Sequence, residues 1–216
     1  MLLVVSACAS AEVSRQEPEP DASRGTPTPD AAEPPAPSDA PSGGLHGDAP
    51  GASGCAFTGV LATWSFSGET GSEISKAAAS TAANITATDF TRGSGVTAVN
   101  GAGSMNSSNW PTAASADATK YYTVTITPAI GCTMDLTSVA IDAKSSTSGP
   151  ATAGVGTDAD QFAYGTVVST TAPSTPALSV TGATGAVEIR VFAWSSVGAS
   201  GTFRVQNTFS VSGALQ

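Results

Sequence analysis

The fold class this sequence predicts is all-β: an antiparallel two-sheet sandwich of jelly-roll type, preceded by a disordered N-terminal segment. Three observations lead there. Apolar and polar residues alternate with period two in several runs between residues 61 and 213, as in "KYYTVTITP" and "AVEIRVFAWS". The same region is rich in Thr, Ser, Gly, Ala and Val and poor in Leu, Lys and Glu, a bias toward strands and turns. Residues 1–55, in contrast, hold nine of the fourteen prolines and no Phe, Trp or Tyr.

The N-terminal segment carries eight acids against Arg15 and Arg24. It cannot bury enough apolar surface to offset the backbone entropy lost on ordering. Residues 9–54 therefore read as a disordered Pro- and acid-rich tether that its prolines and like charges hold open. A spacer is favoured over an interaction tail because a domain-sized segment follows.

Residues 1–8 end in what matches a bacterial lipobox: aliphatic Val5, small Ser6 and Ala7, then Cys8. Small residues suit a peptidase cleft that must admit backbone beside a lipid-modified thiol. Only Met1–Val4 precede the box, whereas secretory signals run ~15–30 residues. The segment is either the stub of a longer signal or a chance match, and the tether behind it favours the stub. Lipidation at Cys8 implies attachment to a membrane and residence in the bacterial cell envelope or at the cell surface. No run of ~20 apolar residues suggests a spanning helix.

Setting Cys8 aside leaves an even pair, Cys55 and Cys132. In an oxidising compartment a disulfide clips the domain's first residue to the turn "PAIGCTM". In the chain-entropy model so long a loop is worth ~4 kcal/mol. Two unrelated thiols are the alternative.

The domain, residues 55–216, opens on "LATWSFSG", with Ala62, Trp64 and Phe66 on one face and Leu61, Thr63 and Ser65 on the other. Residues 68–84 hold the one segment with helical character, around Ala77–Ala79. Their apolar stripe is poor, so a long connection with one helical turn is expected. A short strand follows near Ile85–Phe90, then a Gly/Ser-rich stretch whose one large side chain is Trp110. In "KYYTVTITP", Tyr122, Val124 and Ile126 oppose Tyr121, Thr123 and Thr125. "MDLTSVAIDAKS" places Val139, Ile141 and Ala143 on one face, with an irregularity before Val139. "AVEIRVFAWS" sets Val187, Ile189, Val191 and Ala193 against Glu188, Arg190, Phe192 and Trp194. The last strand turns Phe203, Val205, Phe209 and Val211 inward. About eight strands in such a length suit a sandwich.

Three segments, "ATWSFSGETGSEISKAAASTAANITATDFTRGSG", "YYTVTITPAIGCTMDLTSVAIDA" and "VEIRVFAWSSVGASGTFRVQNTFSVSG", together resemble a bacterial extracellular jelly-roll β-sandwich family. The family's strands run W-x-F-x-G, YYxFTITPxxGYT and GTWRxDNVxVxG, and it is similar to carbohydrate-binding and discoidin-like jelly rolls. The resemblance spans roughly residues 61–213 and implies a secreted or surface-anchored module, most of whose relatives have no assigned activity. Cys132 stands where the family has an aromatic, in keeping with an added disulfide. Gln206-Asn207 replaces the family's Asp-Asn, which weakens a metal site built on that Asp. The segment "GPATAGVGTDADQFAYG" is atypical.

His46, the one histidine, sits in the tether, so Ser-His-Asp and Cys-His catalysis and His-based zinc sites have no histidine in the domain. No Gly-rich stretch with a lysine opens a helix, which argues against a phosphate loop. Nine acids against six bases leave the domain mildly acidic, so phosphate-driven nucleic-acid binding is not expected. The carboxylate pairs Glu69 with Glu73 and Asp158 with Asp160 are the candidates for glycoside hydrolysis, and their loop-like surroundings favour solvated acids instead. Glu69, Asp158, Asp160 and Asn207 are candidate ligands for structural calcium, the one cofactor considered. Trp110, Tyr121 and Trp194, with Arg190, are candidate ligand-binding residues, since exposed rings suit sugar faces. Their packing beneath loops is the alternative.

The expected function is a non-enzymatic, envelope-tethered β-sandwich for adhesion or surface binding. The other reading is a carbohydrate-binding module with an aromatic-lined sugar site. The expected partners are the membrane, through the lipid at Cys8, and a glycan or surface protein.

Overall fold

The computed structural model describes residues 54–216; Cys8, His46 and the tether through residue 53 lie outside them. Alternation in the sequence becomes fifteen strands: β1 (Phe57–Ser65), β2 (Ser75–Lys76), β3 (Ser80–Thr81), β4 (Ile85–Ala87), β5 (Phe90–Arg92), β6 (Thr97–Ala98), β7 (Ser104–Ser108) and β8 (Tyr121–Pro128) come first. Then follow β9 (Met134–Ser145), β10 (Pro150–Thr157), β11 (Thr166–Val168), β12 (Pro173–Ser174), β13 (Ala177–Ala183), β14 (Val187–Ser196) and β15 (Phe203–Leu215). Eight of these are five residues or longer, the number the sequence suggests, and the short ones patch sheet edges.

The strands form two antiparallel sheets in a sandwich of jelly-roll type. One runs β12–β9–β15–β1–β3, with β13 also on β9 and β7 on β15; the other runs β11–β10–β14–β8–β5–β2, with β4 on β8. The chain crosses between layers at β8–β9–β10 and again at β13–β14–β15. β15 is the hub of its sheet. Its first half pairs with β7 through Phe203–Gln206, and its second half with β1 through Thr208–Leu215. The neighbour changes at Asn207, whose φ of 55° makes a bulge.

Two expectations need correction here. The helical turn in residues 68–84 does not form. Ala79 N–H donates to Thr63 O at 2.7 Å and Ala82 N–H to Leu61 O at 2.8 Å, so this stretch extends the sheet beside β1. Without an apolar stripe to dock a helix, alanine's propensity is too weak to compete with these ladder bonds. Leu61 is also fully buried together with Ala62, because a register shift between Val60 and Ala62 turns both inward.

The core is aromatic. Phe90 packs edge-on against Phe66 and Phe209, each at 5.1 Å between ring centroids, and Trp64 meets Phe209 at 5.6 Å. Trp110 packs against Tyr122 at 5.4 Å and Phe203 at 5.5 Å. Such pairs add about 0.5–1.5 kcal/mol each beyond area burial. Each aromatic polar tip in this core has an acceptor: Trp64 Nε1 donates to Thr88 O (3.1 Å), Trp110 Nε1 to Ser107 O (2.9 Å) and Tyr122 Oη to Phe203 O (2.7 Å). Burial pushes the Tyr122 phenol pKa well above its ordinary value. Trp110 is thus a core residue, 1% exposed, and offers no face to a sugar.

Cys55 and Cys132 form the expected disulfide, with Cα atoms 5.6 Å apart. It joins the start of the domain to the turn between β8 and β9.

Candidate functional site

The outer face of the second sheet carries a set of aromatic side chains that strand register assembles. On β14, Val191 and Ala193 point into the core, so Arg190, Phe192 and Trp194 point out. Register places Phe192 beside Tyr121 of β8 and Gly154 of β10, and Arg190 beside Thr123 and Gly156. Two glycines thus stand where β10 would otherwise raise side chains beside this row.

Those glycines admit the loop that completes the site. After β10 the chain makes a 3-10 turn, Asp158–Asp160, and folds back across the sheet. A Cβ on Gly156 would come within 2.9 Å of the Phe162 backbone, and one on Gly154 within 2.8 Å of Tyr164 O. Only glycine permits so close an approach. Gln161 and Phe162 then adopt consecutive left-handed conformations, φ 57° and 58°. For a bulky residue such as Phe this is strained backbone, costing of order 1–3 kcal/mol, and it is held by its surroundings. Phe162 N–H donates to Thr157 O at 2.7 Å, and Asp160 Oδ1 accepts from Thr157 N–H at 2.9 Å. Asp158 Oδ1 accepts from Glu188 N–H at 3.0 Å, fastening the loop to β14.

The result is a sandwich within the sandwich. The Arg190 guanidinium lies 4.1 Å from the Tyr121 ring centroid and 4.0 Å from that of Phe162. Contacts of this kind are worth about 0.5–2 kcal/mol. Arg190 also grips Glu188 with two bonds, Nε to Oε1 at 2.7 Å and Nη2 to Oε2 at 3.0 Å, while Thr123 Oγ1 donates to the same carboxylate at 2.8 Å. Tyr164 bridges Phe192 (5.1 Å) and Trp194 (5.0 Å). Phe192 points outward yet is 2% exposed, because this layer covers it. A cleft of about 190 Å³ opens between the loop and the segment 116–118, walled by Phe162, Tyr164, Phe192 and Arg190.

Of the sequence-predicted ligand residues, Tyr121, Arg190 and Trp194 come together here, joined through Phe162, Phe192 and Tyr164, and Trp110 does not. Phe162 and Tyr164 were missed because their segment has no periodicity; the spacing of Gly154 and Gly156 before it was the signal that a chain lies across the strand. Asn109, which precedes Trp110, spends its Nδ2 on Gly95 O at 3.0 Å.

The acidic candidates separate. Asp158 and Asp160 build the loop just described, whereas Glu69 and Asn207 lie near one another on the other edge, linked by backbone bonds through Gly103. Glu69 is ion-paired with Lys76, and Asn207 Nδ2 donates to Asp142. Among the described residues no three His, Cys, Asp or Glu side chains group as a metal site requires. Glu73 is desolvated slightly, which raises its pKa. Hydrogen bonds from the Thr70 hydroxyl and from backbone N–H groups, those of Thr70 and Gly71 among them, outweigh this and lower it to about 2. Such a carboxyl is ionised at neutral pH and holds no proton to donate. Arg92, which sequence reading passed over, ties this corner together through the carbonyls of Gly71, Glu73 and Asn106.

Comparison with models of known protein families, with curated proteins and with solved structures finds no match to this chain.

Proposed function

We propose that this protein is a non-enzymatic binding β-sandwich, tethered to the bacterial cell envelope through lipid on Cys8, and that its aromatic face binds a glycan. The observation that carries the reading is the strained Gln161–Phe162 loop holding a ring over Arg190 beside a partly apolar cleft. Left-handed backbone at a phenylalanine destabilises the free fold, and a surface layer needed only for cover has no use for it. Half-exposed rings with a fixed guanidinium–carboxylate pair suit the apolar face and hydroxyls of a sugar ring. The resemblance to extracellular carbohydrate-binding jelly rolls supports the same class.

Glycan-array binding of the parent protein, repeated with Tyr164→Ala and Trp194→Ala, tests it. Binding is expected to be lost in both variants, and no binding by the parent to any glycan sinks the sugar reading and leaves protein adhesion. For the anchor, mass spectrometry of the N-terminus from native cells is decisive; an unmodified peptide spanning Cys8 refutes lipidation. The ion pair at Glu69 and the low pKa of Glu73 support a protein without hydrolytic activity. Turnover lost on changing either residue would reverse this. The reading assigns no cofactor, and a chelator should leave the melting temperature unchanged.

A further inference from the structure

On the outer face of the other sheet, Lys144 of β9 and Arg204 of β15 are direct cross-strand partners. Like charges directly opposite in an antiparallel pair, with Cβ atoms about 4.5–5.5 Å apart, oppose folding. The domain has six cationic side chains, so the pairing is not forced by a crowd of bases. Three of the others are engaged: Arg92 by carbonyls, Lys76 by Glu69 and Arg190 by Glu188.

Neither Lys144 nor Arg204 has a carboxylate within ion-pairing distance among the described residues, where the ion pairs are those of Lys76 and Arg190. The nearest acid along β9, Asp142, is taken by Gln206 Nε2 at 3.2 Å and by Asn207 Nδ2 at 2.5 Å. On its other side Arg204 faces Asn106 of β7, which is neutral. The two cations line a cleft of about 210 Å³ with Ser145, Ser146 and Thr202. Ser146 Oγ is fixed there by Thr202 N–H at 2.9 Å.

We propose that this cleft is an anion site and that it takes an oxyanion group, a sulfate or a carboxylate. Two cations and a hydroxyl converging on one small cleft match the several oxygen acceptors of such a group. The unfavourable pairing in the free protein is what the bound anion relieves. The inference does not rest on the aromatic face, which lies on the opposite sheet.

The test is an NMR titration of the full chain with sodium sulfate, against sodium chloride at matched ionic strength. Saturable shifts at the Arg204 Nε–H and the Lys144 amide are expected with sulfate and not with chloride. Lys144→Gln and Arg204→Gln should each weaken sulfate binding roughly tenfold, as loss of one charge-assisted contact implies. Before sulfate is added, both variants should melt at or above the parent's temperature in low salt. Equal shifts in chloride, undiminished binding by both variants, or variants that melt well below the parent would overturn the proposal. Dextran sulfate and polygalacturonate then identify the carrier. Tighter binding of either than of inorganic sulfate assigns a sulfated or a uronate polymer as the carrier, and tighter binding of neither assigns a free anion.

Discussion

Tyr121 and Tyr122 are neighbours in sequence and belong to two aromatic clusters with opposite habits. Tyr122 faces inward, is fully buried, and gives its hydroxyl to backbone carbonyls, as Trp64 and Trp110 give their indole N–H. Tyr121 faces outward with Phe162, Tyr164, Phe192 and Trp194, and the polar tips of Tyr121, Tyr164 and Trp194 take no partner among the described residues. None of those tips is a buried unsatisfied atom, so all three meet solvent. A ring whose polar tip is satisfied internally is committed to the fold. A ring whose tip faces water is available to something else.

The comparison is broken most directly at its tryptophans. Trp110→Ala should cost about 3–5 kcal/mol in urea unfolding, the usual loss for a buried aromatic, whereas Trp194→Ala should cost under about 1 kcal/mol. Equal losses would make the outer cluster part of the core. Next comes Gly156→Ala, which drives a methyl into the Phe162 backbone and should cost about 1–3 kcal/mol. Its sharper readout is the ring-current shift of the Arg190 Nε–H, which should move toward the random-coil value as Phe162 is displaced. An unmoved resonance would mean that the loop does not depend on that glycine. Tyr122→Phe should lose about 1–2 kcal/mol by leaving Phe203 O without its donor, while Tyr164→Phe should be neutral in thermal melts.

The smallest effect belongs to a polar group outside both clusters. The pKa of Glu73 is lowered from 4.5 to about 2, so its stabilising contribution is full above pH 4.5 and fades as pH falls toward 2. Glu73→Gln should therefore differ from the parent in melting temperature at pH 6 and converge with it near pH 2. The side chain is largely solvated, which keeps the difference small. A gap that widens on acidification would reverse the sign of the linkage.

Alternation made much of this legible. Period two told Tyr121 from Tyr122 and placed Arg190, Phe192 and Trp194 outward, because each lies within a regular strand. Where the chain leaves strand geometry the pattern carries nothing. Trp110 follows Asn109, a left-handed residue in a loop, and its burial is decided by contacts with Tyr122 and Phe203 far away in sequence. Phe192 shows a second limit. Its direction was readable, but its burial depends on a loop thirty residues earlier. Asp158 and Asp160 look like solvated acids or metal ligands in sequence and prove to be loop fasteners. Their partners are backbone N–H groups, which no side-chain pattern displays.

The disulfide also determines how the domain meets a pull. Cys55 lies just before β1, whose first residue, Phe57, pairs with Leu215 at the end of β15. Load entering at residue 54 would otherwise peel β1 away one pair at a time, each bond broken alone. Through Cys132 the load reaches the turn between β8 and β9, one strand in each sheet, so both layers resist together. Single-molecule extension from residue 54 should then show a lower unfolding force once the bond is reduced, and an unchanged force would mean that β1 bears the load by itself. Under a pull of this kind the bond is a fixing bolt as much as a folding constraint.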